Sequence, residues 1–179
     1  MREASPLDEL GDAAREHRVI TFTYGADGEL GARRAEPYRL VVHKSRTFIL
    51  AWDLERDDWR TFRTDRMAGL AWQRDFDPRD IPGDAAAIHQ DDSTPPIRTE
   101  LMLDAPLSTA ADRLLTQEVE LESLASQRCV AHLWGHSYEW IAAIVLSMGV
   151  DFTIVGPDEF RAHCQALRDR LDRAVRDPR

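Results

Sequence analysis

With 179 residues, 43% apolar and 31% charged, the chain has room for one domain or two small ones and the composition of an ordinary soluble globular protein. No apolar run approaches the roughly 18 residues of a membrane span, and residues 1–6 have no signal-peptide character, so a cytoplasmic setting without membrane contact is expected. A net charge of −9 repels nucleic acid through its mean field, so any anion site has to be local.

Ser5, Pro6 and Asp8 mark a helix start: a hydroxyl at the N-cap, a proline at the first helical position and an acid three residues after the cap. Leu7, Leu10 and Ala14 give that helix one apolar stripe. Residues 19–24 then alternate Ile20, Phe22 and Tyr24 against Val19, Thr21 and Thr23, the period of a strand, and a turn is predicted at 25–28. Further strands are predicted at 34–42, 47–54, 59–64 and 69–72. Five short strands in about sixty residues predict a small barrel preceded by a helix.

Residues 77–84 and 90–96 are rich in proline and acid, with a short helical turn predicted between them at 85–88. The chain is therefore divided into a first unit at 1–78, a linker at 79–97 and a second unit at 98–179. The first unit carries 13 basic and 15 acidic groups, and residues 79–179 carry 10 and 17.

The second unit reads as a strand at 99–104, a helix at 107–115, a hairpin of 119–124 with 129–134, a helix at 137–148, a strand at 150–155 and a terminal helix. Trp140, Ile141, Ile144, Val145 and Met148 share one face of the helix at 137–148. Gly156, Pro157, Asp158 and Glu159 open the terminal helix, and Phe160, Cys164, Leu167, Leu171 and Val175 are its expected buried stripe. The order β-α-β-β-α-β-α is that of a ferredoxin-like split unit with an added helix, so the fold class is α+β.

The run Arg60-Thr61-Phe62-Arg63-Thr64-Asp65-Arg66 places three guanidinium groups in seven residues, which is costly unless a carboxylate or an anionic ligand neutralises them. Taken with residues 19–24, with Pro37-Tyr38-Arg39-Leu40 and with residues 47–53, it resembles the WYL domain of bacterial transcriptional regulators. The eponymous Trp-Tyr-Leu triplet is replaced here by Thr47-Phe48-Ile49. The resemblance implies a small Sm-like or SH3-like barrel with an N-terminal helix over the first unit. The second unit is similar to the WCX extension that commonly follows it.

The resemblance further implies regulation by a nucleic-acid-derived ligand, single-stranded DNA or a nucleotide, with a helix-turn-helix DNA reader supplied in cis or in trans. A homodimer is expected, and no cofactor. In an extended strand Arg60 and Phe62 share one face and Arg63 the other. Arg60, Arg63 and Arg66 are the leading candidates for phosphate contact, with Arg34 beside them. Tyr24 and Phe48 are candidate surfaces for bases, and His43 could touch an anion from its turn. The structural alternative is that Asp65 and Glu36 pair with Arg66 and Arg34 to hold the barrel closed.

Other chemistry is less supported. Cys129 and Cys164 lie in different predicted elements without a CxxC partner and read as reduced core thiols. Cys129, His132 and His136 have a zinc-like spacing, but residues 129 and 132 of one strand point to opposite faces and cannot share an ion. No nucleophile elbow, phosphate loop, His-Glu-x-x-His helix or convergent acid pair is present, so the chain is not read as an enzyme. The competing reading is an interaction or dimerisation module with a vestigial pocket, which the altered triplet favours. Trp134 and Trp140 are read as core or dimer-interface rings.

Overall fold

A computed structural model describes residues 5–25, 31–82 and 97–176. The first helix, α1 (Pro6–Arg15), starts where its caps dictate: Ser5 Oγ accepts from the Leu7 amide at 3.4 Å, Pro6 follows, and Asp8 and Glu9 occupy the first turn. It ends at His17, whose φ of 52° reverses the chain. Asp8 also reaches across the fold, accepting from the Ser108 amide at 2.9 Å and its hydroxyl at 2.8 Å. An acid suited to a helix N-terminus thus doubles as a tie to the second half of the chain.

Five strands follow, β1 (Arg18–Tyr24), β2 (Gly31–His43), β3 (Arg46–Asp53), β4 (Asp58–Arg63) and β5 (Met67–Asp75). All pair antiparallel, in the order β5-β1-β2-β3-β4. The β2–β3 hairpin closes on Lys44 and Ser45, both at positive φ (48° and 58°), the two-residue geometry that matches strand twist. Among the described residues β4 does not pair with β5, so the sheet stays open. The turn predicted at 25–28 and the helical turn at 85–88 lie, apart from Gly25, outside the described residues.

The second half holds β6 (Ile97–Leu103), α2 (Leu107–Arg113), β7 (Val119–Ala125), β8 (Arg128–Gly135), α3 (Tyr138–Ser147), β9 (Phe152–Gly156) and α4 (Asp158–Arg176). Its strands lie antiparallel in the order β7-β8-β6-β9. The two halves form one nine-stranded sheet because Leu40, Val41 and Val42 of β2 pair with Leu121, Glu120 and Val119 of β7. The result is a mixed fold, mostly antiparallel sheet with helices. Strand alternation sends Leu40, Val42, Val119, Leu121, Cys129, Ala131 and Leu133 into one core with Leu10 of α1, Leu107 of α2 and Ile141 of α3.

Two helix expectations need correction. Trp140 stands 40% exposed while Ile141, Ala142 and Val145 are the buried face of α3. On α4 only Phe160 is buried; Leu171 and Val175 are 54% and 81% exposed. Cys164 and Leu167 on the expected stripe are partly buried against the core, whereas its last two members stay exposed.

Candidate anion-binding site

β4 delivers the arginine run to a 3-10 turn, Thr64–Arg66, which leads into β5. Three contacts fix the backbone of this turn. Thr64 Oγ1 donates to the Thr47 carbonyl at 3.1 Å, the Gly25 amide donates to the Arg66 carbonyl at 3.4 Å, and the Arg63 amide donates to the Tyr24 hydroxyl at 3.2 Å. The Tyr24 ring sits edge-on to Phe62 at 5.1 Å, and Phe22 to Phe62 at 5.2 Å. Phe62 is therefore the buried anchor, and Tyr24 is held by its packing with the hydroxyl engaged on β4.

On this support Arg63 forms a two-pronged pair with Asp65, Nε to Oδ1 at 3.0 Å and a terminal nitrogen to Oδ2 at 2.6 Å. Those hydrogen bonds hold the Asp65 carboxyl below its ordinary value, helped by the charges of Arg63, Arg66 and Arg46, and they raise the Arg63 guanidinium in turn. Phe48 lies directly across from Arg63 in the β3–β4 ladder. The structure thus brings Tyr24, Phe48, Arg63 and Arg66 to one corner and adds Arg46. Nothing in the sequence singles out Arg46, because its place beside Asp65 depends on the β2–β3 turn and not on a motif.

Arg60 and Arg34 lie at the other end of the β3–β4 ladder. Arg60 pairs across from Ala51, with Nε 4.0 Å from Oδ2 of the buried Asp53. Asp53 Oδ1 accepts from the amides of Glu55 and Arg56 at 2.9 and 3.2 Å. Arg34 is held by Glu55 through both its amide (2.9 Å) and its Nε (3.0 Å). Burial raises the Glu55 carboxyl, but the Arg34 bonds and charge outweigh it and leave the group below its ordinary value. His43 faces β7 instead, with Nδ1 3.0 Å from Glu118. The expected pairs of Asp65 with Arg66 and Glu36 with Arg34 are replaced by Asp65 with Arg63 and Glu36 with Arg79 at 2.8 Å.

Arg79 belongs to a cluster the sequence did not reveal. Its guanidinium carbon lies 4.6 Å from the Trp52 ring centre, and its amide donates to the Tyr38 hydroxyl at 2.8 Å. Tyr38 packs against Trp59 at 4.7 Å and Phe76 at 5.6 Å. Burial pushes the Tyr38 phenol up. Residues assigned to the start of the linker are thus docked on the first five strands.

Across the β2–β7 junction, Arg39 bonds Glu120 at 2.7 Å and Glu122 at 3.3 Å, and Glu122 lies 3.5 Å from His132. Hydrogen bonding from His132 is the main reason the Glu122 carboxyl is depressed. Cys129 is in the core, its thiol pushed up to about 12 by burial. Among the described residues no three His, Cys, Asp or Glu side chains converge as metal ligands, and no helix is long and apolar enough to cross a membrane.

The WYL domain family profile matches residues 6–71. The uncharacterized HTH-type transcriptional regulator YobV of Bacillus subtilis is 43% identical over 54 residues, 30% of this chain and 17% of that protein. Protein PafC of Mycobacterium tuberculosis is 25% identical over 174 residues, 91% of this chain and 52% of PafC. The chain therefore spans about half the length of that relative. Among solved structures, proteasome accessory factor B/C of Arthrobacter aurescens matches with a TM-score of 0.44 and 22% identity, over 90% of this chain and 26% of that one. A CRISPR Cas-related protein matches at 0.36 and 14%, over 95% and 52%. The element order of residues 6–71, from α1 to the first half of β5, and the arginine run within them fall inside the matched family profile: this part of the chain is a WYL domain.

Proposed function

We propose that the chain is the ligand-sensing and dimerising region of a WYL-type transcriptional regulator acting in the cytoplasm. Its ligand is a nucleic-acid-derived anion, single-stranded DNA or a nucleotide, held by the arginine run. The observation that carries this reading is the guanidinium fork of Arg63, answered only by the exposed carboxylate of Asp65 on a turn that also carries Arg66, beside the half-buried rings of Tyr24 and Phe48. Guanidinium groups suit phosphate and aromatic faces suit bases. Arg60, Arg34 and His43 serve the ligand only at its periphery. In this reading the five-strand order β5-β1-β2-β3-β4 is an open Sm-like or SH3-like barrel, β6 to β9 are a ferredoxin-like WCX unit, and residues 79–97 connect the two.

The test is fluorescence anisotropy of a short labelled single-stranded DNA at low and high salt, with the wild type beside Arg63→Ala and Arg60→Ala. Salt-sensitive binding that Arg63→Ala abolishes and Arg60→Ala retains is the expected result. Binding that survives Arg63→Ala sinks the assignment of the ligand to this corner.

A second reading, a dimerisation or docking module without a ligand, is favoured by one surface. Leu146, Leu171 and Val175 are exposed beside a groove of about 280 Å³ between α3 and α4, lined by Val145, Phe152, Phe160 and Leu167. Sedimentation of the wild type and Leu171→Glu separates the readings. A dimer lost in the variant, with no DNA bound by either protein, supports the module alone.

A further inference from the structure

The turn after β4 is a cation cluster that carries its own anion. Asp65 takes from Arg63 the two parallel N–H bonds that a guanidinium offers a phosphate, while the charges of Arg66 and Arg46 act on the same carboxylate. The Asp65 side chain is 61% exposed. The backbone of the turn does not depend on it: its supports are Thr64 to Thr47, Gly25 to Arg66 and Arg63 to Tyr24. The carboxylates at the far end of β4 differ in this respect, because Asp53 accepts two backbone amides and Glu55 one. Removing either of those would take an acceptor from a backbone amide of the fold, whereas Asp65 can swing into water and leave the turn standing.

We propose that Asp65 is a built-in stand-in for the ligand's phosphate, occupying the guanidinium fork of Arg63, and that single-stranded DNA binds by displacing it from Arg63. This rests on the ligand-sensing reading above and adds an internal competitor. The competitor sets a threshold: a single chloride or a peptide carboxylate gains nothing over Asp65, while a strand offering several phosphates and bases does. In the absence of ligand, Asp65 also keeps the three guanidinium groups from repelling one another.

The experiment compares the affinity of the wild type, Asp65→Asn and Asp58→Asn for a short labelled single-stranded DNA across a salt series. Asp58 is an exposed carboxylate on the same strand, so its variant matches the change in net charge without touching the fork. Asp65→Asn is expected to bind about fivefold tighter than Asp58→Asn, the upper end for release of an exposed ion pair. Its log–log salt slope should match that of Asp58→Asn, because Arg63 meets the same phosphate in both complexes. Equal affinities for the two variants overturn the stand-in and leave the sensing reading intact. Failure of all three proteins to bind at low salt overturns the stand-in and removes single-stranded DNA as the ligand of the sensing reading, which then rests on a nucleotide. Should Asp65→Asn unfold, the wild type decides: the Arg63 Nε–H resonance must move on saturation with DNA, and a resonance that stays fixed while DNA binds overturns the proposal.

Discussion

The two ends of the β3–β4 ladder are built from the same residue types and do different things with them. At the Asp53 end, Arg34 and Arg60 meet carboxylates that are themselves tied to backbone amides, so charge there fastens a turn. At the Phe48 end, Arg63 meets a single exposed carboxylate bound only through side chains, and the charges of Arg66 and Arg46 act on the same group. An arginine-rich motif therefore has no single meaning. What distinguishes structural from available cations is whether the answering anion also serves the backbone.

That contrast can be broken most forcefully at Asp53. Asp53→Ala removes a fully buried carboxylate, leaves the Glu55 amide without its acceptor and the Arg56 amide with only the Asp53 carbonyl at 3.3 Å, and should cost about 2 kcal/mol in urea unfolding. DNA binding per folded molecule should be unchanged. Tyr24→Phe removes the acceptor of the Arg63 amide and should cost about 1 kcal/mol, with weaker DNA binding because the arginine loses its anchored backbone.

Glu55→Gln should cost less than about 1 kcal/mol, since water screens this half-exposed pair. Its signature is in the pH dependence. A carboxyl whose folded pKa lies below its unfolded value near 4.5 contributes stability above that pH and loses it as pH falls through the folded value. The variant should show a flatter stability profile below pH 4.5 than the wild type. The smallest effect on stability is expected for Arg46→Ala, within about 0.5 kcal/mol for an exposed position, yet its DNA affinity should fall severalfold. A loss of stability without a loss of affinity would place Arg46 on the structural side of the comparison.

The sequence made the elements legible because their signals are local. Ser5 and Pro6 start α1, the alternation of Ile20, Phe22 and Tyr24 makes β1, and the core positions of α3 other than Trp140 follow its period. It did not make the pairings legible. Arg63 chooses Asp65 over the solution expected for Arg66 because the 3-10 turn folds residue 65 back beside β4, a geometry with no sequence period. Arg46, Arg79 and Trp52 enter their clusters through cross-strand register and through the docking of residues 76–79, both of which are long-range. Periodicity likewise shows which face of α4 is apolar but cannot say that Leu171 and Val175 on it stay exposed.

β2 is thirteen residues long and hydrogen-bonds β1 over residues 31–35, β3 over 35–43 and, on the edge away from β3, β7 over 40–42. One strand is thus the shared wall of both halves, which changes how the protein can be cut. A fragment ending near residue 82 would bare the Leu40–Val42 edge to any passing strand, an invitation to aggregate that Val41 and Phe48 beside it would worsen. Heat or urea should melt both halves in one transition, and a protease that nicks the connection between them should leave two pieces that still travel together.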